Sequence, residues 1–536
     1  MAQVPHTAID HFNMVDGLNT VSSAIRLKQS EFRDVQNMRY LPIGGFSKRP
    51  GIDALNDSPI AASASCTGLF MGRYSLSGGT NIAYLVCGAF LFKMTSALNG
   101  TWTDITGALT ITAGQNNIWN FAILNDTVVL GNGNTDASIK INSSGVASAL
   151  TPGPFTKFLF AVESRGYMWY FQPTVGGNVL YDTGYFSDIN DPTTVGTNNF
   201  IAVAKGQGGD IRGAVDYKGY LYIFKRHGIY QVNYQPTRIN SSGTLFPWNE
   251  FPNPIVPGVG TQSNRSIVKF TTPSTHATPG QELVFFVDQF GIPRIFDGVN
   301  TISFASKIGS SRDTTIKSLD DMDRSRNPYC FSINNPTDNL IYCFMSEDNS
   351  KQDVCWVLDY NVGFSWARDD YFTEFNCGAL FEKSDGTFAP FVGDYSGKVY
   401  QLETGTTDDG NSINDYIVTG DDYLKSPAIR SKWYFAETRG QTGSTSQKMR
   451  ISHYVDGEDT SVINTEIALA NSQTTWGSFI WGQASWAKLG LVPKTTEVNL
   501  VSKTIRTKIE SVDKLNDTLV VEGFSLLGET LGTAQN

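Results

Sequence analysis

An apolar run, a turn bearing Gly or Asn, and a second aromatic-rich run recur through the middle of this chain. That repeat constrains the fold more than any other feature. Copies are LYIFKRHGIYQV (221–232), LVFFVDQFGIPRIFDG (283–298), WVLDYNVGFSWAR (356–368) and PFVGDYSGKVYQLE (390–403), with a less regular copy in YLVCGAFLFKM (84–94). In the first, both alternating sets are apolar: Leu221 and Ile223 on one face, Tyr222 and Phe224 on the other. NLIYCFM (339–345) and LVFFV (283–287) repeat the pattern. A strand apolar on both faces must be covered on both faces. Blades stacked around an axis supply both covers, whereas a sandwich leaves one face of each sheet wet. The expected fold is therefore all-β, a β-propeller of about six to eight blades at ~40–45 residues each.

A length of 536 residues exceeds what one core fills, so two or three domains are expected. With 51 Gly, 33 Phe and 22 Tyr, strands and tight turns are favoured over long helices. Residues 1–57 read as an N-terminal arm, 58–405 as the propeller and 406–536 as a C-terminal β-sandwich. Within the arm, Phe32, Val35 and Met38 recur every three residues behind Ser30, a possible N-cap. That spacing predicts a helix of two or three turns, stopped by Pro42, Gly44 and Gly45. The stretch 233–264 interrupts the repeat and is rich in Pro, Gly and aromatics, which predicts an ordered surface loop. The acidic, polar run 404–422 marks the second boundary, and beyond it SKWYFAE (431–437), MRISHYV (449–455), TIRTKIE (504–510) and TLVVEGFSLLGE (518–529) read as strands. TIRTKIE alternates cleanly through Ile505 and Ile509, which predicts one wetted face. Trp481 and Trp486 mark either a contact surface or a sandwich edge.

The balance of 41 basic against 51 acidic residues leaves a net charge of −10. Affinity for DNA comes mainly from counterions released onto Lys and Arg, so tight nucleic-acid binding is not expected. Surrounding DNA without gripping it remains compatible. The cysteines Cys66, Cys87, Cys330, Cys343, Cys355 and Cys377 lie on apolar runs without a CxxC, which predicts buried free thiols and no zinc site. The first residues carry no signal-peptide pattern, and no segment reaches the ~18 apolar residues of a membrane span, so synthesis in a cytosol is expected.

Chemistry-bearing residues are sparse. Acidic clusters occur at Asp320, Asp321 and Asp323, at Asp369 and Asp370, and at Asp408, Asp409 and Asp415. None has calcium-loop spacing, and Asp is common in turns for its backbone hydrogen bonds. His6, His11, His227, His276 and His453 stand apart, and no G-x-S-x-G, P-loop or dinucleotide fingerprint is present. The glycines of GNGNTD (131–136) and KGQGGD (205–210) have no following helix to cradle phosphate. NGTWTD (99–104) and SDGTF (384–388) each echo the tail of the sialidase repeat once, out of register. The basic pairs Lys48–Arg49 and Lys225–Arg226 read as solvated turn positions. No catalytic, cofactor-binding or metal-ligating residue is assigned, and a non-enzymatic protein is expected. The alternative is a carbohydrate-binding or glycan-hydrolysing extracellular propeller, for which Asp320, Asp321, Asp369 and Asp370 form the set to test.

GLNT (17–20) and EFRDVQNMRYLPIGGFSKRPGI (31–52), then RGYMWYFQP (165–173), YFSDINDP (185–192) and GDIRGAVDYKGYLYIFKRHGIYQV (209–232), resemble the tail nozzle proteins of short-tailed bacteriophages. These are also called tail hub or packaged-DNA stabilisation proteins. The likeness spans about three-quarters of the chain and weakens after Gly405. It implies a virion structural protein, assembled in the host cytoplasm as a homohexameric ring at the distal end of the tail. Its implied partners are further copies of itself, portal-adaptor proteins, tail fibres or tailspikes, and packaged DNA held without tight binding. The implied role is to retain the genome and open for ejection.

Overall fold

The computed structural model describes residues 7–531 apart from 13, 42–43, 75–78, 96–97, 99, 134–135, 240–245, 304, 312, 314, 348–349, 362, 384, 442–447, 469–491 and 516–517. Trp481 and Trp486 thus lie outside the described residues, as does His6. Strands dominate, and helical turns among the described residues are short 3-10 segments. None is long and apolar enough to cross a membrane.

Seven antiparallel units of four strands follow one another along the chain: six are separate sheets, and the sixth unit in order is one end of a longer ladder. The innermost strands of blades one to seven are Cys66–Tyr74, Asn120–Leu124, Phe160–Ser164, Ile211–Tyr217, Val268–Thr271, Phe331–Asn335 and Phe375–Glu382. Local chemistry sets the hairpins. In blades two, three and four the first two strands are joined by two-residue turns, Asn125–Asp126, Arg165–Gly166 and Lys218–Gly219. Both residues of each turn sit at positive φ. That mirror-image turn matches the natural strand twist, and Gly or Asn bears it at least cost.

The two-faced strands do what their pattern demands. Leu221 and Ile223 pack between blades three and four with Phe160, Trp169 and Trp248. Tyr222 and Phe224, from the same strand, pack between blades four and five with Val284 and Phe286. Likewise Phe285 and Ile341 share the core between blades five and six, while Tyr342 and Phe344 fill that between six and seven. The ring closes where Cys66, Leu85 and Cys87 of blade one meet Phe381, Phe391 and Val399 of blade seven. The protein is a seven-bladed β-propeller. All six cysteines are buried in it.

Blade seven borrows its outer strand. Ile52–Ala54 pairs antiparallel with Val399–Leu402, so a segment near residue 50 completes the last blade. The helix expected over 30–38 is absent. Glu31–Phe32, Asp34–Gln36 and Met38–Tyr40 are three short buried strands. Asn37, at φ 55°, breaks the extended run, so the three-residue apolar spacing comes from interrupted strands and not from a helical turn. Tertiary pairing overrides local propensity here.

The second body is a sandwich built from both chain ends. One sheet orders Val492–Ser502, Ser431–Gln441, Val520–Thr530, Phe46–Lys48 and Met38–Tyr40, with Thr7–His11 also on Val520–Thr530. The facing strands, Asp34–Gln36, Tyr416–Val418, Ile505–Ser511, Lys448–Val455 and Ile463–Ala468, do not form a separate sheet. They continue blade six through a parallel pairing of Gln36 with Arg368, giving nine strands in one ladder. Phe32, Val35, Trp433, Ile451, Ile509 and Phe524 fill the core between them. The arm is therefore woven through both bodies. The wetted face expected for TIRTKIE is also not found: Arg506, Thr507 and Glu510 are buried along with Ile505 and Ile509. Their strand is an interior one, flanked by Tyr416–Val418 and Lys448–Val455. Arg506 lies over the Tyr454 ring and donates to the Glu458 carbonyl, and Glu510 sits among Arg450, Lys508 and Lys514.

Candidate functional site

Two places concentrate polar side chains inside this body: a buried clasp where propeller meets sandwich, and a cavity on the propeller axis. The clasp collects several residues singled out in sequence. Arg39 donates both terminal nitrogens to Asp369, at 2.8 and 2.7 Å, and one of them also to Glu403 at 2.5 Å. Arg49 grips Asp408 in the same bidentate way, at 2.8 and 2.6 Å, and lies 4.2 Å over the Tyr371 ring. Tyr342 donates to Glu403 and Tyr371 to Asp369. Asn37, held at the positive φ that lets it face inward, accepts from Arg49 Nε and from the Asp370 amide.

Arg49 is 1% exposed and Lys48 is buried, so this pair is not a solvated turn. Lys225 is buried too, with Asp182 Oδ1 at 2.7 Å and two backbone carbonyls around its ammonium. A cation enters these interiors because carboxylates and carbonyls already wait there. Desolvation opposes charge on Asp369, but Arg39 and then Arg49 hold its carboxyl below the usual range. At Asp408 burial wins over Arg49 and the value rises.

The other acidic residues bond to turns or neighbouring strands, or lie exposed. Asp321 accepts from the Ser318 amide and hydroxyl, Asp323 from Ser325, and Asp415 from Ser511 and Lys514. Asp320 is exposed beside Arg324, and Asp370 is exposed. Asp385 of SDGTF accepts from Thr387, the Asx-turn role of the residue type. His227 is exposed in its hairpin turn. His11 is buried between the Gln29 carbonyl at 2.8 Å and Asp422 at 3.0 Å, stacked on Phe524. Burial lowers its value, but Asp422, with the Gln29 carbonyl and Asp10, outweighs burial and the net shift is upward. Burial alone depresses His453 to about 4. Among the described residues, no group of three His, Cys, Asp or Glu is placed to hold a metal ion.

The axial cavity has a volume of about 200 Å³ and gathers residues from the leading ends of the inner strands of blades two to six. Asn116, Asn120, Arg212, Asn264, Arg265 and Tyr329 are among its lining. Arg265, in the 3-10 turn Asn264–Ser266, donates to the carbonyls of Asn376 and Tyr329 and lies 5.4 Å over the Phe331 ring. Arg326, behind the wall, donates to Asn116 Oδ1 at 2.9 Å. None of these arginines stood out in sequence, because 53 and 61 positions separate Arg212, Arg265 and Arg326. Aligning the repeats would have shown an arginine near the start of three successive inner strands.

No protein-family description matches this sequence. No curated protein matches it either. Among solved structures, the chain is similar to the N-terminal domain of Nup159, at 10% identity and TM-score 0.36, over 71% of this chain and 99% of that one. It is also similar to the Myceliophteria thermophila Cps50 (Swd1) beta-propeller domain, at 9% identity and TM-score 0.37, over 65% of this chain and 99% of that one.

Proposed function

We propose that this protein is a non-enzymatic structural component of a phage virion, a tail nozzle ring that lines the distal DNA channel, retains packaged DNA and opens for ejection. One observation carries the reading. The phrase that resembles the nozzle group, 31–52, is the segment that stitches sandwich to propeller and leads into the strand closing blade seven. This part of the resemblance thus coincides with residues on which the joint between the two bodies depends.

Further support is chemical. The acidic balance suits a wall past which DNA slides. Asp321 and Asp323 are taken up by turns, and Asp369 and Asp408 by the clasp. Exposed apolar side chains, Phe251 at 83% foremost, are the kind of surface that a neighbouring subunit covers. Within the ring, six copies surround an axis and contact portal-adaptor proteins on one side and fibres or tailspikes on the other. Negative-stain microscopy and mass photometry of the purified protein test this. A ring with a central hole, near six times the 58.8 kDa chain, is expected. A persistent monomer, alone and with adaptor protein, overturns it.

A further inference from the structure

We infer that the axial cavity of the propeller is a binding site for a small oxyanion, of the phosphate or polycarboxylate class. This inference stands apart from the nozzle reading, since it rests on the chemistry of the cavity alone.

The first observation is an imbalance of charge. Arg265 and Arg212 both line the cavity, and no carboxylate does. Arg212 is paired with Asp210 at 2.7 Å through one terminal nitrogen, while its buried Nε has no partner. Among the described residues, no carboxylate stands within ion-pair distance of Arg265; its partners are two carbonyls and an aromatic face. Carbonyl dipoles and a ring soften the desolvation of a guanidinium but do not neutralise it. Burial, with the nearby Arg326 guanidinium, holds Arg265 below the ordinary arginine range.

A second, independent observation lies one layer behind. Arg326 is 7% exposed, and both its Nε and its Nη2 lack a hydrogen-bond partner. Its one strong acceptor is Asn116 Oδ1, and Asn116 lines the cavity. That bond fixes the amide of Asn116, since the oxygen is occupied and the NH2 end is left to donate. Asn264 is fixed the same way, its Oδ1 accepting the Ala214 amide at 3.1 Å. The wall therefore offers two guanidinium groups and two oriented amide donors. An acceptor-only ligand with delocalised negative charge fits that set, and guanidinium–oxyanion pairs are the strong case of charge-assisted bonding. A cation or a neutral sugar would leave the guanidinium charge unanswered.

The test uses the full chain in chloride buffer, titrated with inorganic phosphate and separately with citrate, read by calorimetry and by thermal unfolding. Saturable binding of one anion per chain, tighter than about 1 mM, with a rise in unfolding midpoint, is expected for at least one of the two. Arg265→Gln should weaken that binding at least about tenfold. Without added anion it should unfold no earlier than the parent, because the substitution removes an unanswered charge. Asn264→Asp supplies a carboxylate from the wall itself. It should abolish binding and raise the midpoint to the level the parent reaches only with anion. Absence of saturable binding by both anions overturns the inference. So does unchanged binding in Arg265→Gln, or a less stable Asn264→Asp protein.

Discussion

Arg49 illustrates how a single side chain carries the joint between the two bodies. Its guanidinium is spent on Asn37, Asp408 and two backbone carbonyls, those of Pro50 and Asp370. Removing one partner of such a pair leaves the other charged in a dry place, which costs about 3–5 kcal/mol. Arg49→Leu should lose about that much in urea unfolding, and adding Asp408→Asn should restore part of it. Additive losses would show that the pair is not a unit. The histidines give the pH response. His453, near 4 when folded, binds its proton first in the unfolded chain. Its contribution is therefore complete above about pH 6.5 and falls by up to about 3 kcal/mol as pH drops toward 4. His11 has the opposite sign. Raised by Asp422, it stabilises fully below 6.5, and that contribution is lost as pH rises through the folded value. Thermal melts across pH should flatten on the acid side for His453→Gln and on the neutral side for His11→Gln.

At the scale of elements, the closing strand of blade seven is the point of leverage. Gly51 precedes it, and a Cβ there would meet the Thr407 carbonyl oxygen at 1.8 Å. Gly51→Ala should destabilise by about 1–3 kcal/mol. The effect should be local at first, with faster hydrogen exchange at the amides of Val399–Leu402 while blade three stays protected. Uniform exchange across all blades would argue against a weak seam. The blades were legible because a strand such as Tyr220–Lys225 is apolar on both faces and short, and only stacked sheets answer both demands. The 30–38 segment was not. Its partners lie far away, Gln36 beside Arg368 and Val35 beside Ile417, and the break at Asn37 imitates helical spacing. The cavity escaped notice for a related reason. Arg212, Arg265 and Arg326 are unremarkable one at a time, and the ring alone brings them near one axis.

For the whole molecule, the shared nine-stranded ladder makes propeller and sandwich one mechanical piece, because twisting one against the other would shear main-chain hydrogen bonds. A nozzle subunit built this way would open by moving whole subunits or surface loops. If the ring reading holds, Phe251→Ser should leave subunit stability within about 0.5 kcal/mol, as exposed substitutions do, yet shift particles from rings toward single subunits. Unaltered ring formation would move the interface elsewhere on the surface. The pairing of Ile52–Ala54 with Val399–Leu402 carries one further consequence. During synthesis the early strand leaves the ribosome hundreds of residues before its partner exists, so six blades are made while the wheel still gapes. Translation must outrun aggregation of that raw seam, and a chaperone-poor extract should yield clumped, full-length chains before it yields truncated ones.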